Sequence, residues 1–218
     1  MKTLLIKGWL PALLLAVAFT LAACGGAGGG QQGSGSGDGM DHSNMDHGSM
    51  GMGSGEMARQ MVMENGKYSD ERFVDAMVPH HQGAIEMAKV ALKQAEHEEI
   101  KELSHNIISS QRAEIEELKS IKKGEFGTSQ VPMEMSQEQM RGMGMMMDPQ
   151  QLANQKPFDE AFIDAMIPHH QSAIYMAQVA SEKSKIPEIK ELAQDIVSAQ
   201  KREIEQMKQW RKQWYSSG

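Results

Sequence analysis

The stretch DAMVPHHQGAIEMA, residues 75–88, returns as DAMIPHHQSAIYMA at residues 164–177. The two copies lie 89 residues apart, and that offset holds without a gap from Phe73 to Lys119 and from Phe162 to Lys208, with about half of the aligned positions identical. Apolar residues recur at helical spacing from about Ser69 to Ala95, His97 to Lys123, Phe158 to Lys185 and Pro187 to Trp214. Each half is therefore one helical hairpin, which cannot bury both of its apolar faces alone. Two such hairpins packed together predict an all-α protein, a four-helix bundle made of two repeated helical hairpins.

At about 100° per residue, Phe73, Met77, His80, Ala84, Met87, Ala88 and Ala91 share one helix face, with His81 on its flank. Asp75, Gln82, Glu86, Lys89 and Lys93 take the opposite side, so both histidines point into the bundle. Pro79 and Pro168 lie inside their helices and should bend them where the histidines begin. The second helix of each hairpin carries Ile100, Leu103, Ile107, Ile115 and Leu118, and places Gln111 and Glu114 within that stripe; Gln200 and Glu203 repeat them. A polar side chain at a core position costs roughly 1–3 kcal/mol unless paired, and the imidazoles are the available partners. His97 near the turn and His105 on the polar face are not repeated and read as solvated.

The first residues, MKTLLIKGWLPALLLAVAFTLAACGG, have the basic start, short apolar run and small-residue end of an export signal. Their end, Leu21-Ala22-Ala23-Cys24, resembles the lipobox of bacterial lipoproteins, which implies cleavage before Cys24 and a lipid on its thiol. The expected organisation is a signal peptide over 1–23, a flexible Gly/Ser/Met/His tether over 24–55, a first hairpin repeat over 56–123, a Met-rich loop over 124–156 and a second hairpin repeat over 157–218. A short helix is expected from Glu56 to Lys67, closed by Asn65-Gly66. Cys24 is the sole cysteine, so once lipidated no thiolate remains for a disulfide, a metal or nucleophilic catalysis. A formal charge of -7 leaves no basic footprint for nucleic acid.

Twenty methionines, against five phenylalanines, are the oddity of the composition. Methionine fills cores, and it is also a soft thioether ligand. With histidine it suits Cu(I), and by the same softness Ag(I). Met77 lies three and four residues before His80 and His81, so one ion can be closed on from a single helix; Met166 repeats the relation to His169 and His170. Met87 and Met176 lie on the same faces. The candidate metal ligands are thus Met77, His80, His81, Met87, Met166, His169, His170 and Met176, with Gln111, Glu114, Gln200 and Glu203 orienting the imidazoles. Two further segments are candidates for less specific capture. One holds Met40, His42, Met45, His47, Met50 and Met52, whose histidines beside aspartate also suit Cu(II); the other holds Met133, Met135, Met140, Met143, Met145, Met146 and Met147, able to wrap an ion or fold as a lid. Taken singly, methionines at helical spacing are core, and a structural or docking module with core histidines is the alternative reading. A di-iron bundle is a third, but its one Glu-x-x-His, Glu102 to His105, lies off the apolar stripe and the second half has Gln194 in place of the histidine. No Ser-His-Asp set, phosphate loop or zinc spacing points to an enzyme.

AMVPHHQGAIEMA and AMIPHHQSAIYMA, with Q-x-x-E-I at Gln111 to Ile115 and at Gln200 to Ile204, resemble the bacterial family of domain of unknown function 305. Two such units cover most of residues 69–214. The resemblance implies a ferritin-like helical bundle, export to the periplasmic or extracytoplasmic face of the envelope, and copper handling of the kind found in members implicated in copper tolerance. It implies copper as the bound ion and a copper-transport protein as partner, while membrane attachment through Cys24 is what the lipobox resemblance implies.

Overall fold

The computed structural model describes residues 53–145 and 147–216. The export signal, Cys24, the tether positions Met40, His42, Met45, His47, Met50 and Met52, and the loop residue Met146 lie outside the described residues. The described residues form one compact unit. No described helix is long and apolar enough to cross a membrane.

Four long helices dominate: α2 (Asp70–Gln94), α3 (Glu98–Phe126), α6 (Phe158–Lys183) and α7 (Pro187–Tyr215). They are preceded by α1 (Ser54–Met61) and the strands β1 (Met63–Glu64) and β2 (Lys67–Tyr68), and separated by α4 (Gln137–Gly142) and α5 (Pro149–Ala153). Helix α2 packs along α3 and α6 along α7, which makes the two hairpins; α2 against α6 joins them. The ends follow local chemistry. Ser69 caps α2 through a bond from Arg72 N to its Oγ, with Asp70 and Glu71 in the first turn. Gly127, at φ 77°, closes α3, and Pro187 opens α7. Both internal prolines are carried inside unbroken helices.

The expected helix over 56–67 is corrected: α1 stops at Met61. Asn65 (φ 50°) and Gly66 (φ 75°) both take left-handed conformations, so this pair builds a two-residue hairpin turn between β1 and β2. The expected loop over 124–156 holds two short helices, each opened by a capping box, Ser136 with Gln139 and Asp148 with Gln151.

The core forms two clusters, and α2 and α6 contribute to both. One contains Val62, Phe73, Met77, Leu118, Met143, Met176 and Ile196; the other contains Met87, Ile100, Phe158, Phe162, Met166 and Met207. The hairpins are tied at one end by Asp159, which is 1% exposed. Its carboxylate accepts the backbone N–H groups of Glu96 and His97 and the His97 Nδ1–H at 2.7 Å. The imidazole stacks on Trp214 with centroids 3.8 Å apart. The reading of His97 as solvated is thereby corrected, since the turn of the first hairpin is held by residues of the second. Asp159→Ala leaves two backbone donors without their acceptor and should cost about 1–3 kcal/mol, read as a lower urea midpoint at unchanged m.

Candidate metal centre

The α2–α6 contact carries the repeated histidines into the interior. His80, His81, His169 and His170 are all 0% exposed. Each hairpin then supplies its own carboxylate from the second helix. His170 Nε2–H donates to Glu203 Oε2 at 2.6 Å, while His81 Nε2 lies 2.7 Å from Glu114 Oε2 without the alignment of a hydrogen bond. Between these outer pairs, His80 and His169 face each other across the two helices, with ring centroids 3.8 Å apart and planes 43° apart. Burial, then the charges of neighbouring histidines, depress both of their pKa values well below 6.5. Both rings are therefore neutral at ordinary pH, as a metal ligand must be.

Hydrogen bonding fixes one tautomer directly. His80 Nε2 approaches the His169 carbonyl at 3.1 Å and Ser172 Oγ at 2.8 Å. A carbonyl only accepts, so Nε2 carries the proton and Nδ1 a lone pair. The Nδ1 atoms of all four rings are buried without a partner, as are His169 Nε2, Gln111 Oε1 and both amide atoms of Gln200. Native interiors leave few such atoms, and each costs about 1–3 kcal/mol, so a cluster of them around one helix contact is the candidate binding site of this fold.

Met77, Met87, Met166 and Met176 are all buried, but they divide between the clusters, Met77 and Met176 in one and Met87 and Met166 in the other. Gln111 and Gln200 are each 2% exposed, and Glu114 and Glu203 keep a partial opening to solvent. Among the described residues no group of three or more His, Cys, Asp or Glu side chains is placed to hold one ion. Glu102 and His105, the Glu-x-x-His of the di-iron alternative, are on the exposed face of α3, away from this contact.

The loop methionines are more ordered than a capture segment requires. Met143 is 1% exposed and belongs to the core, Met135, Met145 and Met147 pack against the core, and Met140 is half-buried. Met133, 51% exposed, is the open one. The Met143 carbonyl accepts from Ser172 Oγ at 2.7 Å, so the loop is docked on the histidine layer. Sequence reasoning assigned no role to Ser172 or Gly83. The signal for both was a single difference inside the repeated phrase, HHQG against HHQS.

The profile described as a domain of unknown function, DUF305, matches residues 21–122 and 70–211. The chain belongs to the DUF305 family. The fold is similar to that of CopM in its Cu(I)-bound form, with 40% identity, a TM-score of 0.61, and coverage of 69% of this chain and 100% of that one. CopM is also known in Cu(II)-bound and Ag-bound forms. A DUF305 fragment from Deinococcus radiodurans is similar at 27% identity and a TM-score of 0.57, over 64% of this chain and 92% of that one. An uncharacterized protein of Acanthamoeba polyphaga mimivirus is 43% identical over 49 residues, or 22% of this chain, and the match spans only 32% of that relative.

The depressed histidines set a pH dependence. Above their ordinary value of 6.5, His80 and His169 are neutral whether the chain is folded or unfolded. Below it the unfolded chain takes up protons that the folded chain refuses, so stability falls as the pH is lowered. The slope from these two rings approaches about 1.4 kcal/mol per pH unit each. Urea unfolding of metal-free protein between about pH 7.5 and about pH 5.5 should show it, and His80→Asn should remove one ring's share.

Proposed function

We propose that the protein binds copper, Cu(I) above all with Ag(I) and Cu(II) as further cargo, and buffers it or hands it on rather than transforming a substrate. The observation that carries this reading is the set of four buried imidazoles whose Nδ1 atoms have no protein partner. The similarity to CopM, a protein known in Cu(I)-, Cu(II)- and Ag-bound forms, supports the choice of metal. His80, His81, His169 and His170 are the nitrogen donors, and Met77, Met87, Met166 and Met176 the sulfur donors lining the same interior. Glu114 and Glu203 orient His81 and His170 from behind, and Gln111 and Gln200 stand beside them.

Soft thioethers need no deprotonation and favour the monovalent ion. In this reading residues 1–23 direct export and Cys24 carries the lipid, which tethers the bundle to the outer face of a membrane. The tether methionines and histidines, with Met133, Met135, Met140, Met146 and Met147 of the loop, then collect ions for the bundle. A copper-transport protein in the envelope is the corresponding partner.

A Cu(I) titration against a competing chromogenic chelator, with melting temperature followed in parallel, tests the reading. A ligand of the folded state raises stability by about 2.7 kcal/mol at a hundredfold excess over Kd. The unaltered chain should melt higher with Cu(I), and His81→Gln with His170→Gln should weaken uptake about tenfold or more. Unchanged uptake in a folded double variant, or no rise in melting temperature, would leave the histidines as structural core.

A further inference from the structure

The two copies of the repeat are equivalent at both histidines and unlike three residues later. In the second copy Ser172 Oγ meets His80 Nε2 at 2.8 Å, which commits that nitrogen to a hydrogen bond. In the first copy the equivalent residue is Gly83. A side-chain Cβ built there would come 2.9 Å from Met145 Sδ and 3.3 Å from His169 Nε2. The sulfur and the nitrogen thus both lie against Gly83, and a side chain on residue 83 would press on both. His169 is 0% exposed, and neither of its ring nitrogens has a hydrogen-bond partner.

Met145 is brought there by backbone geometry. The end of α4 is a Schellman cap: Met145 N–H bonds Met140 O at 2.9 Å, Gly144 N–H bonds Arg141 O at 3.0 Å, and Gly144 has φ 69°. A Cβ on Gly144 would lie 2.5 Å from the Pro168 carbonyl oxygen, so glycine is required by its angle and by its closeness to α6. The preceding residue is pinned by Ser172 Oγ on Met143 O. The loop therefore delivers one thioether to one side of the histidine layer.

On the footing of the copper reading, we propose that Met145 Sδ and His169 Nε2 are the donors of a one-sided site for a soft monovalent cation, Cu(I) or Ag(I). Gly83 keeps this site open, and it has no twin in the other half because Ser172 occupies the equivalent place. A thioether beside a neutral imidazole nitrogen favours such soft monovalent ions over the harder Zn(II) or Mg(II). The ring binds through Nε2 with its proton on Nδ1, so binding releases no proton and displaces no hydrogen bond. His80 differs: Ser172 holds its Nε2, which leaves only its Nδ1 for a metal. The pseudo-symmetric sequence thus yields an asymmetric site.

The test uses the full chain with methyl-labelled methionine and redox-silent Ag(I) as probe, with methyl resonances followed by NMR and Met145 assigned by Met145→Leu. The Met145 methyl should shift within the first equivalent. Gly83→Ser should abolish that shift, because Met145 is the movable partner of the clash, and Ser172→Ala should retain it. Met145→Leu, which keeps the bulk and removes the sulfur, should weaken the tightest Cu(I) step about tenfold while leaving the metal-free melting temperature nearly unchanged. Uptake of Ag(I) with an unmoved Met145 methyl, or with full affinity in Met145→Leu, overturns this site and spares the copper reading. Failure of the unaltered chain to take up Ag(I) or Cu(I) overturns both.

Discussion

Four imidazoles buried at the crossing of two helices, each with a nitrogen that no protein group satisfies, are the constraint around which the rest of this bundle is arranged. A buried imidazole is tolerable when neutral and oriented. Orientation comes from the second helix of each hairpin, through Glu203 for His170 and Glu114 beside His81. Neutrality for His80 and His169 comes from burial and from each histidine's neighbours. Both requirements bind the hairpins to one another, since His80 can be placed only by the His169 carbonyl and Ser172 of the other half.

Methionine allows this layer to exist inside a packed core. Met77 and Met176 lie in one cluster and Met87 and Met166 in the other. An aliphatic side chain would fill the same volume and offer nothing to a metal, whereas a thioether packs as a hydrophobe and remains a weak, soft donor. Core and ligand roles are therefore not exclusive at these positions. A carboxylate-lined bundle would make the opposite choice, with hard oxygen donors and the associated cost of burying charge. The docked loop follows the same logic, because Met143 is held as core while its backbone carbonyl secures Ser172.

Much of this was legible in the chain. The gapless offset between Phe73–Lys119 and Phe162–Lys208 implied two equivalent hairpins, and helical periodicity alone turned His80, His81, Gln111 and Glu114 inward. The misses have local and non-local causes. Asn65-Gly66 was read as a helix end, although it favours a hairpin turn, and the capping signals at Ser136 and Asp148 were passed over as loop. His97 could not be placed from its surroundings in sequence, because Asp159 and Trp214 reach it from the other hairpin.

The sequence by itself determined the four long helices, the faces they bury and the identity of the polar residues on those faces, because each depends on spacing along one chain. Only the tertiary structure decided which nitrogens find partners and which do not. The two halves are close to identical in pattern, yet His80 meets a serine hydroxyl, while His169 has no hydrogen-bond partner and lies near a loop sulfur. That difference is one side chain, Ser172 against Gly83, and it acquires meaning only when α2, α6 and the loop are brought together. A repeat specifies equivalent elements; the contact between them is a property of both at once, and the loop that joins them approaches only one side.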